Sequence, residues 1–205
     1  MTNFVYLASQ SPRRRQLLEQ MGIQYALLLP EADEDAEGLE VALKNEAPAA
    51  YVKRVTGLKL DAATARLARR KLPPAPVLCS DTTVALGRMI YGKPNDTQDA
   101  ERMLAELAGK THRVLTAVAV QQEARRFVAL STSWVSFEPM TANEISNYVA
   151  TGEPLGKAGA YAIQGRVAMH ITRINGSYSG IMGLPLWETA SLLKAAGLES
   201  SSRGA

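Results

Sequence analysis

Residues 7–18 constrain the fold most, because they join a predicted strand to a predicted helix through a short polar turn. The apolar run at residues 4–8 predicts the strand. Ser11 suits the N-cap of the following helix, and Pro12 suits its first turn. Gly22 is suited to end that helix. A strand that leads directly into a helix is typical of an α/β fold.

Three consecutive arginines, Arg13, Arg14 and Arg15, occupy the first turn of this helix. That end carries the positive pole of the helix dipole, so each exposed cation there costs roughly 0.3–1 kcal/mol. A bound anion would reverse the sign, because free backbone N–H groups and guanidinium groups together form a phosphate site. The alternative interpretations are a solvated basic patch and a nucleic-acid contact.

Composition and charge limit the class of protein. The 205 residues are 46% hydrophobic, which is enough to bury a substantial core. The 23 basic and 20 acidic residues nearly balance, which argues against a dedicated nucleic-acid binder. The single cysteine, Cys79, excludes an intrachain disulfide and Cys-rich zinc sites, and two histidines disfavour a histidine metal site. Neither a leader nor a long apolar run is found, so we expect a soluble cytoplasmic protein.

Two regions in the first half of the chain contain candidate charged ligands. An acidic segment follows the second predicted strand, at residues 25–29, and consists of Glu31, Asp33, Glu34, Asp35, Glu37 and Glu40. Such a run is usually a solvated loop, although a single acid at a strand end is placed to hold a metal ion. A helix is then predicted over residues 47–72, with a buried stripe at Tyr51, Val52, Val55 and Leu58 that Lys59 follows closely.

Asp81 interrupts the apolar strand predicted at residues 77–86. An unpaired buried carboxylate is costly, so a carboxylate in such a strand needs a reason. We favour a functional role over the alternative, which is a hydrogen-bonded aspartate at a strand end.

The rest of the chain continues the α/β pattern. The predicted elements are a strand at 89–91, a helix capped by Asp96 or Thr97, two long strands at 112–121 and 126–137, a helix opened by a capping box from Thr141 to Glu144, a strand at 167–174 and a final helix from Leu186. The small-residue loop at 157–165 either approaches a ligand closely or turns a corner. We predict one domain over residues 1–198 and a frayed tail at 199–205.

Strand-end acids, scattered cations and a glycine-rich loop are together what a triphosphate site needs. Guanidinium and ammonium groups bind phosphate oxygens. One or two carboxylates suffice for Mg²⁺, whose other ligands are water and phosphate oxygens, and a carboxylate can also deprotonate an attacking water. The chain contains no Ser-His-Asp pattern, GxSxG elbow or HExxH helix that would indicate another chemistry.

Seven short motifs connect the chain to a known family. They are LASxSPRR at 7–14, SDT at 80–82, GKP at 92–94, KAGAY at 157–161, IQG at 163–165, INGSY at 174–178 and GLP at 183–185. With these motifs the sequence resembles the Maf-type nucleoside triphosphate pyrophosphatases over residues 7–193. The resemblance implies an α/β fold shared with inosine-triphosphate pyrophosphatases, with a mixed twisted sheet, flanking helices and a central cleft. The stretch at residues 35–50 is longer than is usual in the family.

The same resemblance implies roles for individual residues. Asp81 would be the proton acceptor or metal-linked base, and Glu34 would join Asp81 in binding the metal. The phosphates would be bound by Ser9, Arg13, Arg14, Lys59 and Lys93.

The resemblance also extends to one branch of the family. Arg13, Thr82 and Gln164 resemble the dTTP/UTP branch, whereas the 7-methyl-GTP branch has Trp, Gln and Glu at these places. Ser80 stands where the dTTP/UTP branch usually has Ala.

The expected activity is therefore the hydrolysis of dTTP and UTP to the monophosphate and pyrophosphate, with Mg²⁺ or Mn²⁺ as cofactor. Two alternatives stay open, namely a pyrophosphatase for modified or non-standard nucleotides and a non-catalytic nucleotide-binding regulator of cell division. The expected partner is a nucleotide substrate, with no nucleic acid and no membrane. Assembly as a homodimer is left open.

Overall fold

One mixed sheet of seven strands organises the protein, whose computed structural model describes residues 4–31, 34 and 38–198. The strands are β1 (Phe4–Leu7), β2 (Gln24–Leu27), β3 (Val77–Leu86), β4 (Met89–Tyr91), β5 (Thr111–Gln122), β6 (Arg125–Phe137) and β7 (Ile171–Asn175). The helices are α1 (Pro12–Gln20), α2 (Pro48–Arg69), α3 (Thr97–Leu107), α4 (Ala142–Val149), α5 (Tyr178–Met182) and α6 (Leu186–Ala195). Short 3₁₀ turns lie at Gly38–Glu40, Ala158–Ala160 and Arg166–His170.

The sheet has a gap in its pairing along β3. The strand order is β2-β1-β3-β5-β6-β7, and β4 pairs with the far end of β3. The parallel neighbour β1 pairs with Val77 and Leu78, and the antiparallel β4 pairs with residues 84–86. Among the described strands, residues 79–83 are therefore paired only on the β5 side. The other edge of β3 is open at Asp81.

Helices cover both faces of the sheet, because alternate residues of a buried strand point to opposite faces. On one face Val77 and Cys79 pack with Leu60 and Ala63 of α2. On the other face Leu78 packs in a cluster that α1 and α6 complete with Leu17, Leu18 and Leu193. The predicted α/β fold with a mixed sheet and flanking helices is confirmed.

Several local predictions are confirmed by element bounds and hydrogen bonds. β3 and β4 have the predicted bounds, and Asp96 caps α3 by accepting a hydrogen bond from the backbone N–H of Asp99 at 2.8 Å. The predicted capping box is complete, because Thr141 Oγ1 accepts from the Glu144 N–H and Glu144 Oε2 accepts from the Thr141 N–H.

Two local predictions are wrong. Leu58 is 37% exposed, because the face of α2 that packs on the sheet runs through Val52, Leu60 and Ala63. The predicted strand at 167–174 begins only at Ile171, and the residues before it form a 3₁₀ turn. The two buried residues of that turn, Val167 and His170, lie three positions apart, which fits the period of a 3₁₀ turn.

The predicted frayed tail at 199–205 and the acids Asp33, Asp35 and Glu37 lie outside the described residues. Within the described part of the chain, none of the helices has an apolar stretch of the length that a bilayer crossing requires.

Candidate active site

A cleft of about 1260 Å³ lies beside the gap in β3, with residues 80–84 among its lining. Small-molecule sites commonly measure about 300–1,000 Å³, so this volume is large enough for a small-molecule ligand. Every residue predicted for the site lines the cleft, namely Ser9, Arg13, Arg14, Glu34, Lys59, Asp81, Thr82, Lys93 and Gln164. The predicted central cleft is confirmed, and the structure brings the whole predicted set together.

Arg14 is fixed to the wall of the cleft by two hydrogen bonds. Its Nε donates to the carbonyl oxygen of Gly183 at 2.8 Å, and its Nη1 donates to Ser9 Oγ at 3.1 Å. Burial lowers the pKa of Arg14, while the nearby Asp81 carboxylate acts in the opposite direction. Ser80 Oγ lies 2.9 Å from the same carbonyl oxygen and 2.9 Å from that of Ala117, and its single proton can be donated to either.

Arg13 differs from Arg14 in having an unsatisfied donor. Its Nε is buried and finds no hydrogen-bond partner among the described residues, and burial lowers the pKa of its guanidinium. Ser11 occupies the predicted N-cap position, but its hydroxyl caps no backbone N–H. This end of α1 therefore offers both a guanidinium and backbone donors to an anion.

The two arginines are expected to respond differently to truncation. Arg13→Ala should weaken triphosphate binding by about tenfold, the loss of one charge-assisted hydrogen bond, and leave the Tm of the ligand-free protein unchanged or higher. Arg14→Ala should lower the Tm by a few degrees even without ligand, because it removes two internal hydrogen bonds. Melting curves with and without nucleotide test this, and an equal ligand-free loss for both variants would contradict it.

Asp81 belongs to a network of charges on the floor of the cleft. The residue is 7% exposed, and its Oδ1 accepts a hydrogen bond from Lys59 Nζ at 2.5 Å. Lys59 Nζ also donates to Glu40 Oε1 at 2.7 Å, and Lys93 Nζ lies 3.0 Å from Glu40 Oε2. The buried carboxylate of Asp81 is thus paired with an ammonium group, as its burial requires.

Glu34 lies at the cleft but is paired with two arginines. Arg66 Nε donates to Glu34 Oε1 at 3.0 Å, and Arg69 Nη2 donates to the same oxygen at 2.6 Å. The hydrogen bonds from Arg66 are the main cause that lowers the pKa of Glu34 to about 2. Arg66 also donates to the carbonyl oxygen of Leu28 at 3.0 Å, which fixes it between α2 and the end of β2.

Sequence reasoning missed four charged residues that line the cleft, Glu31, Glu40, Arg66 and Lys157. Arg66 follows Lys59 by two helical turns and therefore lies on the same face of α2. This spacing could have identified Arg66 from the sequence. Lys157 stands in the KAGAY motif, and burial together with the nearby Arg13 lowers its pKa. Nothing in the sequence distinguishes Glu40 from the other acids of its segment.

Thr82 and Gln164 offer hydrogen-bonding groups to the cleft. Thr116 Oγ1 donates to the carbonyl oxygen of Gly180 at 2.7 Å, so the 2.9 Å contact between the Thr82 and Thr116 hydroxyls uses the Thr82 proton. The Thr82 oxygen therefore presents lone pairs to a ligand. The Gln164 side chain is exposed in the cleft and has no hydrogen-bond partner within the described part of the chain, so it presents both a donor and an acceptor.

The small-residue loop turns a corner against the sheet. Gly159 has a φ of 69°, and a Cβ on it would lie 2.9 Å from Cβ of Val84 in β3. Its N–H donates to the carbonyl oxygen of Gly92 at 3.0 Å. This packing against Val84 holds the segment that contains Lys157 and Gln164 at the cleft.

Fold and site together define an α/β protein whose cleft presents a buried carboxylate and several cations to an anionic ligand. A comparison with protein families matches residues 4–196 to the family described as Maf-like protein. The chain belongs to the Maf family.

Close relatives match nearly the whole chain. The "dTTP/UTP pyrophosphatase" of Polaromonas sp. (strain JS666 / ATCC BAA-500) is 69% identical, over 96% of this chain and 98% of the relative. The protein of that name from Albidiferax ferrireducens is 64% identical, over 97% and 100% of the two chains, and that from Cupriavidus metallidurans is 63% identical, over 97% and 99%. Among solved structures, the Ham1 protein of Staphylococcus aureus matches with a TM-score of 0.42 and 13% identity, over 65% of this chain and 71% of that one.

Proposed function

We propose that the protein is a pyrophosphatase that hydrolyses dTTP and UTP to the nucleoside monophosphate and pyrophosphate. The observation that carries this proposal is the position of the Asp81 carboxylate, which is buried at the gap in β3 and paired with Lys59 in a cleft that further cations line. The names of the relatives, which are 60–69% identical, support the same activity.

The proposed reaction is attack of a water molecule on the α-phosphorus. Asp81 accepts a proton from this water, the new P–O bond forms, and the bond from the α-phosphorus to the bridging oxygen breaks. Pyrophosphate leaves with the negative charge that develops on that oxygen. Lys59, Lys93 and Arg13, which line the same cleft, stabilise this charge, which favours the transition state over the bound substrate.

A divalent cation, Mg²⁺ or Mn²⁺, is the proposed cofactor. Asp81 would be its first ligand, because the Glu34 oxygens accept hydrogen bonds from Arg66 and Arg69 and would have to leave them to bind a metal. Asp81 offers a carboxylate inside the cleft, and Glu34 at the same cleft is the second carboxylate that we propose for the metal. Mg²⁺ is commonly bound by one or two carboxylates together with substrate phosphates and water. When bound, the cation would supply positive charge to the phosphate oxygens.

Gln164 is proposed to select the base. Thymine and uracil present an N3–H donor between two carbonyl acceptors, and one glutamine amide can pair with a carbonyl and the N3–H together. The lone pairs that Thr82 presents add a second acceptor in the cleft. An ionised glutamate has acceptors only, and therefore suits the adjacent N1–H and N2–H donors of guanine.

We expect Gln164→Glu to lower kcat/KM on dTTP and UTP far more than on GTP, because a mismatched partner leaves polar groups of the site unpaired. Adding Thr82→Gln and Arg13→Trp should shift the preference further towards 7-methyl-GTP. The measurement is kcat/KM on dTTP, UTP, GTP and 7-methyl-GTP for the single and triple variants. Equal losses on all four would mean that Gln164 does not contact the base.

A screen for pyrophosphate release tests the function directly. The wild-type protein is incubated with standard and modified nucleoside triphosphates, with Mg²⁺, with Mn²⁺ and with neither. Preferential release from dTTP and UTP supports the proposal. Preferential release from a modified nucleotide favours the first alternative, whereas binding without turnover favours a regulator.

A further inference from the structure

Glu40 places a carboxylate between the two lysines of the cleft. Its Oε1 accepts a hydrogen bond from Lys59 Nζ at 2.7 Å, and Lys93 Nζ lies 3.3 Å from Oε1 and 3.0 Å from Oε2. Lys59 is also held by Asp81 at 2.5 Å. The three side chains and Asp81 all line the same cleft.

The Glu40 carboxylate occupies the position that a phosphate group would take if it contacted both lysines. Phosphate and carboxylate oxygens are both anionic acceptors, and both bind ammonium groups at this distance. A polyphosphate that contacts Lys59 and Lys93 together would meet the Glu40 oxygens, and repulsion between the like charges would separate them. The carboxylate and the polyphosphate therefore compete for the two lysines.

We propose that Glu40 is a placeholder for the phosphates of the ligand, a positioning residue that holds Lys59 and Lys93 until a bound polyphosphate displaces it. The Glu40 carboxylate neutralises ammonium charge that would otherwise lie unpaired in a partly buried site. The identity of the polyphosphate as a nucleoside triphosphate rests on the proposed function, but the competition itself does not.

The backbone around Glu40 is anchored, so only the side chain has to move. The Tyr51 hydroxyl donates to the Glu40 carbonyl oxygen at 2.8 Å, and Arg54 Nη2 donates to the carbonyl oxygen of Val41 at 2.9 Å. The Glu40 side chain is 26% exposed, so it has a direct path into solvent. Rotation about its side-chain bonds is enough to free the two lysines.

Calorimetric titration with inorganic pyrophosphate, without metal, tests the proposal on the full chain. Glu40→Gln removes the charge, whereas Glu40→Asp keeps the charge but withdraws it from both lysines by one methylene group. Asp61→Asn is the matched control, because Asp61 lies on α2 outside the cleft and pairs with Arg126. The KM for UTP is measured on the same four proteins.

Both Glu40 variants are expected to bind pyrophosphate roughly 3- to 10-fold more tightly than the wild type, the effect of removing two partly exposed ion pairs. Asp61→Asn should bind like the wild type, and the KM for UTP should fall in the two Glu40 variants. Unchanged or weaker pyrophosphate binding by Glu40→Gln would overturn the proposal. So would wild-type binding by Glu40→Asp or tighter binding by Asp61→Asn, since either would indicate an effect of net charge alone.

Turnover of UTP by the wild type separates this proposal from the proposed function. If the four proteins bind pyrophosphate in the expected order but the wild type releases none from UTP, the proposed role of Glu40 stands and the proposed enzymatic function is rejected. If the wild type hydrolyses UTP but the Glu40 variants bind pyrophosphate no more tightly than the wild type does, the proposed function stands and the proposed role of Glu40 is rejected.

Discussion

Asp81→Asn is expected to lower the hydrolysis of dTTP and UTP by about 10²–10⁴-fold, the usual size of general-base catalysis. The substitution keeps the shape of the side chain but removes its charge and its ability to accept a proton from water. The fold should survive, because the asparagine carbonyl can still accept the hydrogen bond that Lys59 Nζ donates to Asp81 Oδ1.

The measurement is kcat and KM for UTP, together with a melting curve for each protein. Asp61→Asn makes the same chemical change outside the cleft and should keep wild-type turnover. A wild-type rate in the Asp81→Asn protein would show that Asp81 is structural. A large loss of Tm in that protein would show that the charge pair with Lys59 is required for folding rather than for chemistry.

Gly159→Ala is expected to destabilise the protein by about 3 kcal/mol and to lower its Tm by roughly 6–12 °C. Two effects add. The new Cβ would lie 2.9 Å from Cβ of Val84, and the φ of 69° is one that a non-glycine residue adopts only at a cost. Val84 cannot rotate away, because its Cβ is attached directly to the backbone of β3.

Gly152→Ala separates the two effects. Gly152 has a φ of 73°, but none of the described residues comes within 4 Å of a Cβ placed on it, so this variant carries the backbone cost alone. Thermal unfolding of the two variants should show the larger loss for Gly159→Ala. Equal losses would mean that the contact with Val84 is not what makes glycine necessary at position 159.

Much of the fold could be predicted, because its elements follow from local rules. The apolar run of β3 and the capping box of α4 each leave a signature within a few residues. Asp81 could also be recognised from its neighbours in the sequence as an unusual residue, because a carboxylate inside an apolar strand is costly unless it is paired. The wrong assignment of Leu58 arose because helical spacing defines a stripe, while the side of that stripe that meets the sheet depends on tertiary packing.

The site was predictable as a set of residues but not as a set of contacts. The sequence places Arg13 and Arg14 side by side, yet only the folded chain shows that Arg14 donates to Gly183 and that the Arg13 Nε has no hydrogen-bond partner in the described part of the chain. The position of Glu40 depends on a pair of lysines from two distant segments. No local pattern in an acidic run records which acid will lie between them.

The gap in the pairing of β3 separates the support of Asp81 from the support of other residues that line the cleft. The backbone of Asp81 is held by the β5 ladder, opposite Ala117. Arg13 and Gln164, which are proposed to contact other parts of the ligand, come from segments outside this ladder, whereas Thr82 lies within it. Under the proposed function, substitutions in those segments would change which nucleotide is accepted while the Asp81 carboxylate stays where it is. Relatives could then differ in substrate while they share the proposed chemistry.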